Sequence, residues 1–457
     1  MPHELSTFVS PDLLDAAPGW SPMYFAGPAA VALRAGFTGQ SLRDLGGRVL
    51  EGWRLSETPG ALTYDPRAAA TPVYRQANIG RLRMLLGKQH WAPPQITDRW
   101  CVRPDDVVLN KLAPLRAAYV SPNARRHPVD GNSLIVRGLS TSAAAWVALC
   151  LNQSGYEQLL LIESGVLKRV GLGALASLRV PPVPTEMEGL SVRLRDLLDE
   201  ATLTGEALHC VHNEANAETK AAPGRVHTLG SGSFFPRDAV SNESWLPSAI
   251  ALRAEQSILE EEVGWVALAE LATFDDRARL SRTQDGARAL RLSDVGDDLL
   301  VSSAEGAPIP ELIANRTLAK PLVPGEVLIS TLGNSFRAAY VDDDVPPNTH
   351  PVDGWVRLRF HETPAAWALL LSTEPMRAQA AGLTVGSTQQ FVPPEALRSL
   401  RLPNPSRDMR DRWQRAVERH HAQRRSLDRR WSSLMREFTA LFDAIHRPFT
   451  SSKEVLQ

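Results

Sequence analysis

The sequence predicts a mixed α/β (α+β) fold built twice: two copies of one globular domain, each followed by a long helix, the helices pairing as an antiparallel coiled coil. Three observations predict it. Arg116-Ala117-Ala118-Tyr119-Val120 recurs as Arg337-Ala338-Ala339-Tyr340-Val341, and His127-Pro128-Val129-Asp130-Gly131 recurs as His350-Pro351-Val352-Asp353-Gly354. Two such identities in the same order, offset by about 220 residues, mark a duplicated domain and not a short-period solenoid. Each copy also ends in a proline-bounded stretch with helical periodicity, and the second of these has apolar positions at alternating steps of four and three, the spacing of a coiled coil.

The elements follow in order. An N-terminal arm (1–25) is polar and contains proline. The first domain (26–184) has a partner in 247–404. Its beginning, Ala29 to Ala35, aligns with Ser248 to Ala254. Pro72 to Gly80 aligns with Arg288 to Gly296, and its alternation predicts a half-buried strand with Arg75 and Arg291 on the polar side. Arg103-Pro104-Asp105-Asp106 and Val323-Pro324-Gly325-Glu326 are turn signals, each followed by a β-branched and aliphatic run. Each run leads through an irregular segment, Asn110 to Leu115 or Ser330 to Phe336, into the repeated Arg-Ala-Ala-Tyr-Val. These segments are the candidate exposed loops. Ala144-Ala145-Trp146 and Ala365-Ala366-Trp367 open Ala/Leu-rich helices. Gly165 to Val170 aligns with Gly386 to Phe391, and Ala174 to Pro181 with Ala396 to Pro403.

A first spacer helix (185–213) and a linker rich in Ala, Gly, Ser and Asn (214–246) precede the second domain. A second spacer helix (405–447) and a tail (448–457) follow it. The second helix carries the seam Trp413, Val417, His420, Arg424, Leu427, Trp431, Leu434, Phe438, Leu441 and Ile445. At about 38 residues it is a rod of roughly 55–60 Å. Such a rod cannot bury its seam on itself, and Leu194, Leu197, Leu198, Leu203 and Leu208 of the first helix make the natural antiparallel partner.

Bulk properties narrow the function. The chain has 457 residues, 43% hydrophobic and 22% charged, which is an ordinary globular composition. A formal net charge of -1 gives no global basic field, so any anionic partner must be met by local charge. Cys101, Cys150 and Cys210 are odd in number and lie far apart, which suits a reducing compartment and not a disulfide framework. With no apolar run long enough to span a bilayer, a cytoplasmic location is expected. The phosphate-loop, His-Glu-x-x-His and Gly-x-Ser-x-Gly motifs are absent. Asp342-Asp343-Asp344 is expected to be a solvated turn, His420-His421 helix surface, and the His-Pro-Val-Asp-Gly pair a structural corner.

Local charge is more informative. In the first copy Arg75, Gln76, Asn78, Arg81, Arg83, Lys111, Arg116, Arg125 and Arg126 gather around the candidate loops. In the second, Arg279, Arg291, Thr331, Asn334, Ser335 and Arg337 take comparable places. Arg and Lys neutralise phosphates, while Arg, Asn and Gln pair bidentately with base edges. Two copies of one such domain, carried on paired helices, suit a reader of two DNA half-sites.

With these features in order, the chain resembles the specificity subunits of type I restriction–modification systems. The matching residues are Gly264-Trp265 ahead of Leu268-x-x-Leu271, then Asn78-Ile79-Gly80, and the turn, strand and loop from Pro324 to Asn334. The domain ending matches too: Gly386, Phe391 and Leu397-x-x-Leu400-Arg401-Leu402-Pro403. Thr185-Glu186-Met187 and Ser406-Arg407-Asp408 stand where the family usually has Glu-Gln. The resemblance implies two target-recognition domains, a non-catalytic recognition role and double-stranded DNA as ligand. It also implies DNA methyltransferase subunits and a translocating nuclease subunit as partners. No cofactor is expected in this chain, and S-adenosylmethionine, ATP and Mg would belong to the partner subunits. Two other readings differ in class: a two-lobed protein-interaction scaffold without specific DNA contact, and an enzyme with a cleft between related lobes.

Overall fold

The computed structural model describes residues 39–53, 71–85, 90–92, 98–153, 156–157, 160, 169–220, 264–275, 286–295, 299, 301, 309, 317–332, 336–352, 354–385 and 391–450. The chain divides into two compact units, Met1–Leu203 with Ser426–Gln457, and Thr204–Arg425. Each unit contains one copy of the domain and a stretch of both long helices, Met187–Lys220 and Arg407–Thr450.

In the first unit the strands are β1 (Gln40–Ser41), β2 (Arg48–Glu51), β3 (Thr71–Val73), β4 (His90–Ala92), β5 (Val107–Asn110), β6 (Ala117–Tyr119), β7 (Ser133–Arg137) and β8 (Arg179–Val180). An antiparallel sheet runs β2-β7-β5-β6, with Val107 opposite both Tyr119 and Val136. Both faces of this sheet are buried. Val107, Leu109, Ala117, Tyr119, Leu134 and Val136 face the helix Thr141–Leu151 and the long helices. The alternate residues Val108, Ala118 and Ile135 face Tyr74, Ile79, Val102 and Val129. Burial on both sides is why these strands read as continuous apolar runs. Ser140 caps the helix by accepting the Ala143 N–H on its Oγ (3.3 Å), and everything from Ala143 to Leu151 is buried.

The second unit repeats this plan with β9 (Trp265–Ala267), β10 (Ala272–Phe274), β11 (Arg288–Leu290), β12 (Val327–Ser330), β13 (Ala338–Tyr340), β14 (Thr349–Pro351), β15 (Trp355–Phe360) and β16 (Arg401–Pro403). Its sheet runs β10-β15-β12-β13, with Val327 opposite Tyr340 and Leu358. The pairing of β9 with β16 mirrors that of β1 with β8. Duplication extends to unusual backbone. Asp105 (φ 64) and Gly325 (φ 87) take the left-handed position of the same turn, and Leu82 (φ 61) and Leu299 (φ 65) that of another.

The long helices pair antiparallel within each unit. In the first, Arg193 meets Glu437 and Arg430 meets Glu200, so one chain rises as the other falls. Leu190, Leu194, Leu197 and Leu198 share a core with Leu427, Leu434 and Phe438. In the second, His420 Nδ1 bonds the Thr204 carbonyl (3.1 Å) and Arg412 meets Glu214 (2.9 Å), over a core of Leu208, Ala215, Trp413 and Val417.

Several expectations need correction. The segment 72–80 is not one strand: β3 ends at Val73, and Gln76–Asn78 is a 3-10 turn. Asn78 Oδ1 accepts the Arg75 N–H (2.9 Å), and Asp294 Oδ2 accepts the Arg291 N–H in the second copy (2.8 Å). These side-chain acceptors compete with a ladder and stop the strand. The first long helix does not end near 213 but runs to Lys220, so 214–220 is not linker. Its apolar seam fades there, yet Glu, Ala and Lys sustain a helix without one. At the domain start, Ser41 pairs with Arg179 as Ala267 pairs with Arg401. Gln40-Ser41 therefore matches Val266-Ala267, and the expected match of 29–35 with 248–254 lies outside the described residues.

Gly52 shows how tightly the first domain is closed. A Cβ built there would lie 2.1 Å from the Asp130 carbonyl oxygen, a backbone atom that cannot swing away. Gly52→Ala is expected to destabilise by about 1–3 kcal/mol, as overpacking does. Urea unfolding followed by circular dichroism checks this.

Candidate nucleic-acid interface

The loop between β5 and β6 is built by a buried asparagine. Asn110 Nδ2 donates to the carbonyls of Leu112 (2.6 Å) and Pro114 (2.9 Å), and its Oδ1 accepts the Arg116 N–H (2.5 Å). The Ala113–Pro114 peptide bond is cis. Ala113, Pro114 and Arg116 are exposed. In the second copy Ser330 takes the asparagine's place, its Oγ accepting the Arg337 N–H (2.9 Å). The loops are also tied alike at their starts. Val170 N–H donates to the Lys111 carbonyl (2.9 Å) and Val392 N–H to that of Thr331 (2.6 Å). Leu112 pairs with Arg169, and Leu332 with Phe391. The structure thus sets Arg169 opposite Phe391, one residue out of step with the sequence alignment, which matched Arg169 to Gln390.

At the end of β5 and β12 away from each loop lies an ion pair that the sequence alone did not reveal. Arg137 Nη2 donates to Asp106 Oδ2 (2.7 Å), and Asp106 Oδ2 also accepts the Arg103 N–H (2.8 Å). Burial pushes the Asp106 carboxyl up, against the pull of Arg137. In the second copy Glu326 serves Arg357 (2.6 and 2.7 Å), Arg359 (2.9 Å) and the Val323 N–H (3.1 Å). Both acids directly follow the left-handed turn residue, so a turn acid with an arginine on the later strand that pairs with the one it opens was the signal available.

The predicted site residues separate into surface and framework. Arg81 and Arg116 are exposed, and the Leu82 N–H, donating to the Ala117 carbonyl (2.8 Å), brings their backbones together. Gln76 is half-buried, and Arg126 is exposed but paired with Asp98 (2.8 Å). Arg75 is half-exposed and bonds Asp130 (3.3 Å). Arg83 lies over the Trp431 ring at 6.0 Å, and Arg125 is half-buried. Asn78 and Lys111 are not surface groups. Asn78 is 2% exposed and caps its turn, while Lys111 is 2% exposed, its ammonium held by Glu51 and the Gly131 carbonyl (2.7 Å). A Lys on the polar side of a loop reads as exposed, but Glu51 reaches it from far back in the sequence. Lys111→Met is expected to cost about 1–3 kcal/mol by stranding these acceptors. It should leave the salt dependence of any DNA binding unchanged, which urea unfolding and a binding titration together test.

In the second copy Arg291 is exposed and Thr331 half-buried. Arg337 is half-buried, its Nη1 donating to the carbonyls of Val295 (3.0 Å) and Leu292 (3.4 Å). Arg279, Asn334 and Ser335 lie outside the described residues.

Two expectations about the helices and turns are overturned. His420 and His421 are buried, not helix surface. Asp342 is not a solvated turn residue: it meets His421 (3.2 Å) and Arg425, and Asp344 meets Arg425 as well (2.5 Å). The equivalent turn of the first copy also docks on its own helix, Asn123 N–H donating to Asp199 (3.1 Å). In the His-Pro-Val-Asp-Gly corner, Asp130 accepts from the Asn132 N–H and Ser133 Oγ, both at 3.2 Å. His127 packs on Tyr74 at 5.3 Å, and burial pushes its pKa down to about 4, so the ring is neutral near pH 7. Among the described residues no cluster of three or more His, Cys, Asp or Glu could hold a metal, and no helix is long and apolar enough to cross a membrane.

No family model matches the sequence, and no curated protein does. Among solved structures the chain is similar to the S subunit of a type I restriction–modification system from M. genitalium, at 12% identity and a TM-score of 0.41, over 91% of this chain and 96% of that one. It is similar also to the HsdS subunit from Thermoanaerobacter tengcongensis, at 15% identity and a TM-score of 0.24, over 88% of this chain and 97% of that one. A third such structure, of type I restriction–modification complex assembly and conformational transition, matches at 15% identity and a TM-score of 0.26, over 88% and 97%.

Proposed function

We propose that this chain is a non-catalytic, sequence-specific DNA-binding subunit. It recognises a bipartite duplex target, one half per domain copy, for a restriction–modification or related anti-phage complex. The observation that carries this reading is the duplicated loop. The same strand order, the same Arg-Ala-Ala-Tyr-Val and the same tie at the loop's start recur in both copies, while the residues between them differ. A common frame with different tips is what reading two different half-sites requires. Arg116 and Arg337, being identical, cannot tell one half-site from the other, so discrimination falls to the tips, Leu112-Ala113-Pro114 and Leu332 to Ser335. DNA methyltransferase subunits and a translocating nuclease subunit are the proposed partners, and they would bring S-adenosylmethionine, ATP and Mg.

The test is titration of the purified chain with duplex DNA selected from a random library. Binding should weaken steeply with salt, because phosphate neutralisation releases counterions. Affinity that is indifferent to salt, or no binding at low salt, contradicts the reading and favours the protein scaffold.

A further inference from the structure

The first loop is flanked by three arginines. Arg116 lies at its end, Arg81 is joined to that end through the Leu82–Ala117 hydrogen bond (2.8 Å), and Arg169 is paired with Leu112 at its start. All three are exposed, and no carboxylate among the described residues pairs with any of them. The second copy differs at each position. Arg337 directs its Nη1 to the carbonyls of Leu292 and Val295. Phe391, 44% exposed, stands where Arg169 stands. Where the first copy has Gly80-Arg81, the second has the sequence Gly296-Asp297-Asp298.

We infer that the two copies hold DNA by different means: the first by neutralising phosphates with Arg81, Arg116 and Arg169, the second by apolar contact from Phe391. The inference rests on the DNA-binding reading above and divides its energetics. Phosphate contacts set the salt dependence and carry no sequence information, whereas apolar contact, as with a thymine methyl, does not release counterions. The first copy therefore anchors the duplex, and the second adds affinity that salt does not erode.

The experiment uses the full chain and a duplex that it selects from a random library, with affinity measured across a range of salt. Combining Arg81→Gln, Arg116→Gln and Arg169→Gln should make the slope of log affinity against log salt shallower by about 2–3, at about 0.9 for each phosphate no longer neutralised. Melting should be unchanged, since all three side chains are exposed. Phe391→Ala should weaken binding to the same duplex by about tenfold, a typical value for one good base contact, and leave the slope unchanged. A triple variant that keeps the wild-type slope overturns the inference. So does a Phe391→Ala variant that keeps wild-type affinity or changes the slope. If the wild-type chain binds no duplex even at low salt, the functional reading itself fails, and the inference with it.

Discussion

Arg116→Glu is expected to weaken binding to the selected duplex while the protein melts at its usual temperature. The side chain is exposed, and its backbone N–H is already held by Asn110 Oδ1 (2.5 Å), so loop geometry does not depend on the guanidinium. On the proposed reading, reversing the charge would remove one phosphate partner and place a carboxylate against the backbone, a loss of about 1–3 kcal/mol or roughly 10–100-fold in affinity. Arg337→Glu should behave differently although the two arginines share one motif. Its guanidinium ties the loop to the carbonyls of Leu292 and Val295, so the variant should also lose stability, by about 1–3 kcal/mol for acceptors left unmet. Binding titrations and melting curves on both variants separate the two roles. Equal effects on stability would contradict the distinction.

Glu326→Ala is expected to be the most destabilising single change in the second domain. Arg357 is 2% exposed by its side chain, and Glu326 supplies its counter-charge, both its carboxylate oxygens accepting from Arg357 Nη2. Its other partners are the carbonyls of Lys320 (2.8 Å) and Pro321 (3.1 Å), which carry no formal charge. Removing the carboxylate strands a buried cation, which typically costs about 3–5 kcal/mol. That is a large part of the about 5–15 kcal/mol that holds a domain together. Arg359→Ala should cost under about 1 kcal/mol, because its side chain is 51% exposed and screened by water. The double variant Glu326→Leu with Arg357→Leu should recover much of the loss, since replacing both partners removes the unpaired charge. Urea unfolding of the four proteins decides it, and an Arg359→Ala loss as large as that of Glu326→Ala would contradict the assignment.

The parts of the fold legible in the sequence are those written by local rules. The repeated Arg-Ala-Ala-Tyr-Val and the Pro-Asp-Asp and Pro-Gly-Glu turns mark a hairpin in each copy, and both hairpins form as β5–β6 and β12–β13. The four-three seam of the second helix is buried at Trp413, Val417, Leu427, Leu434 and Phe438. What could not be read depends on distant partners. Lys111 is buried because Glu51 lies beneath it, and His421 because Asp342 docks on the helix there. The divergence of Arg116 from Arg337 is of the same kind, since the carbonyls that engage Arg337 come from the Leu292–Val295 segment. Arg169 could not be set opposite Phe391 from sequence, because the copies slip by one residue where no identity fixes the alignment.

The central claim is that two related loops read two different half-sites. Selection of duplexes from a random library by the full chain tests it most directly, with a second selection by a chain in which Leu112-Ala113-Pro114 is replaced by Gly-Ser-Gly. The wild-type pool should converge on two constant blocks separated by unspecified bases, and the variant pool should lose one block and keep the other. A pool with no constant block, or a loop replacement that erases both blocks or neither, would contradict the account.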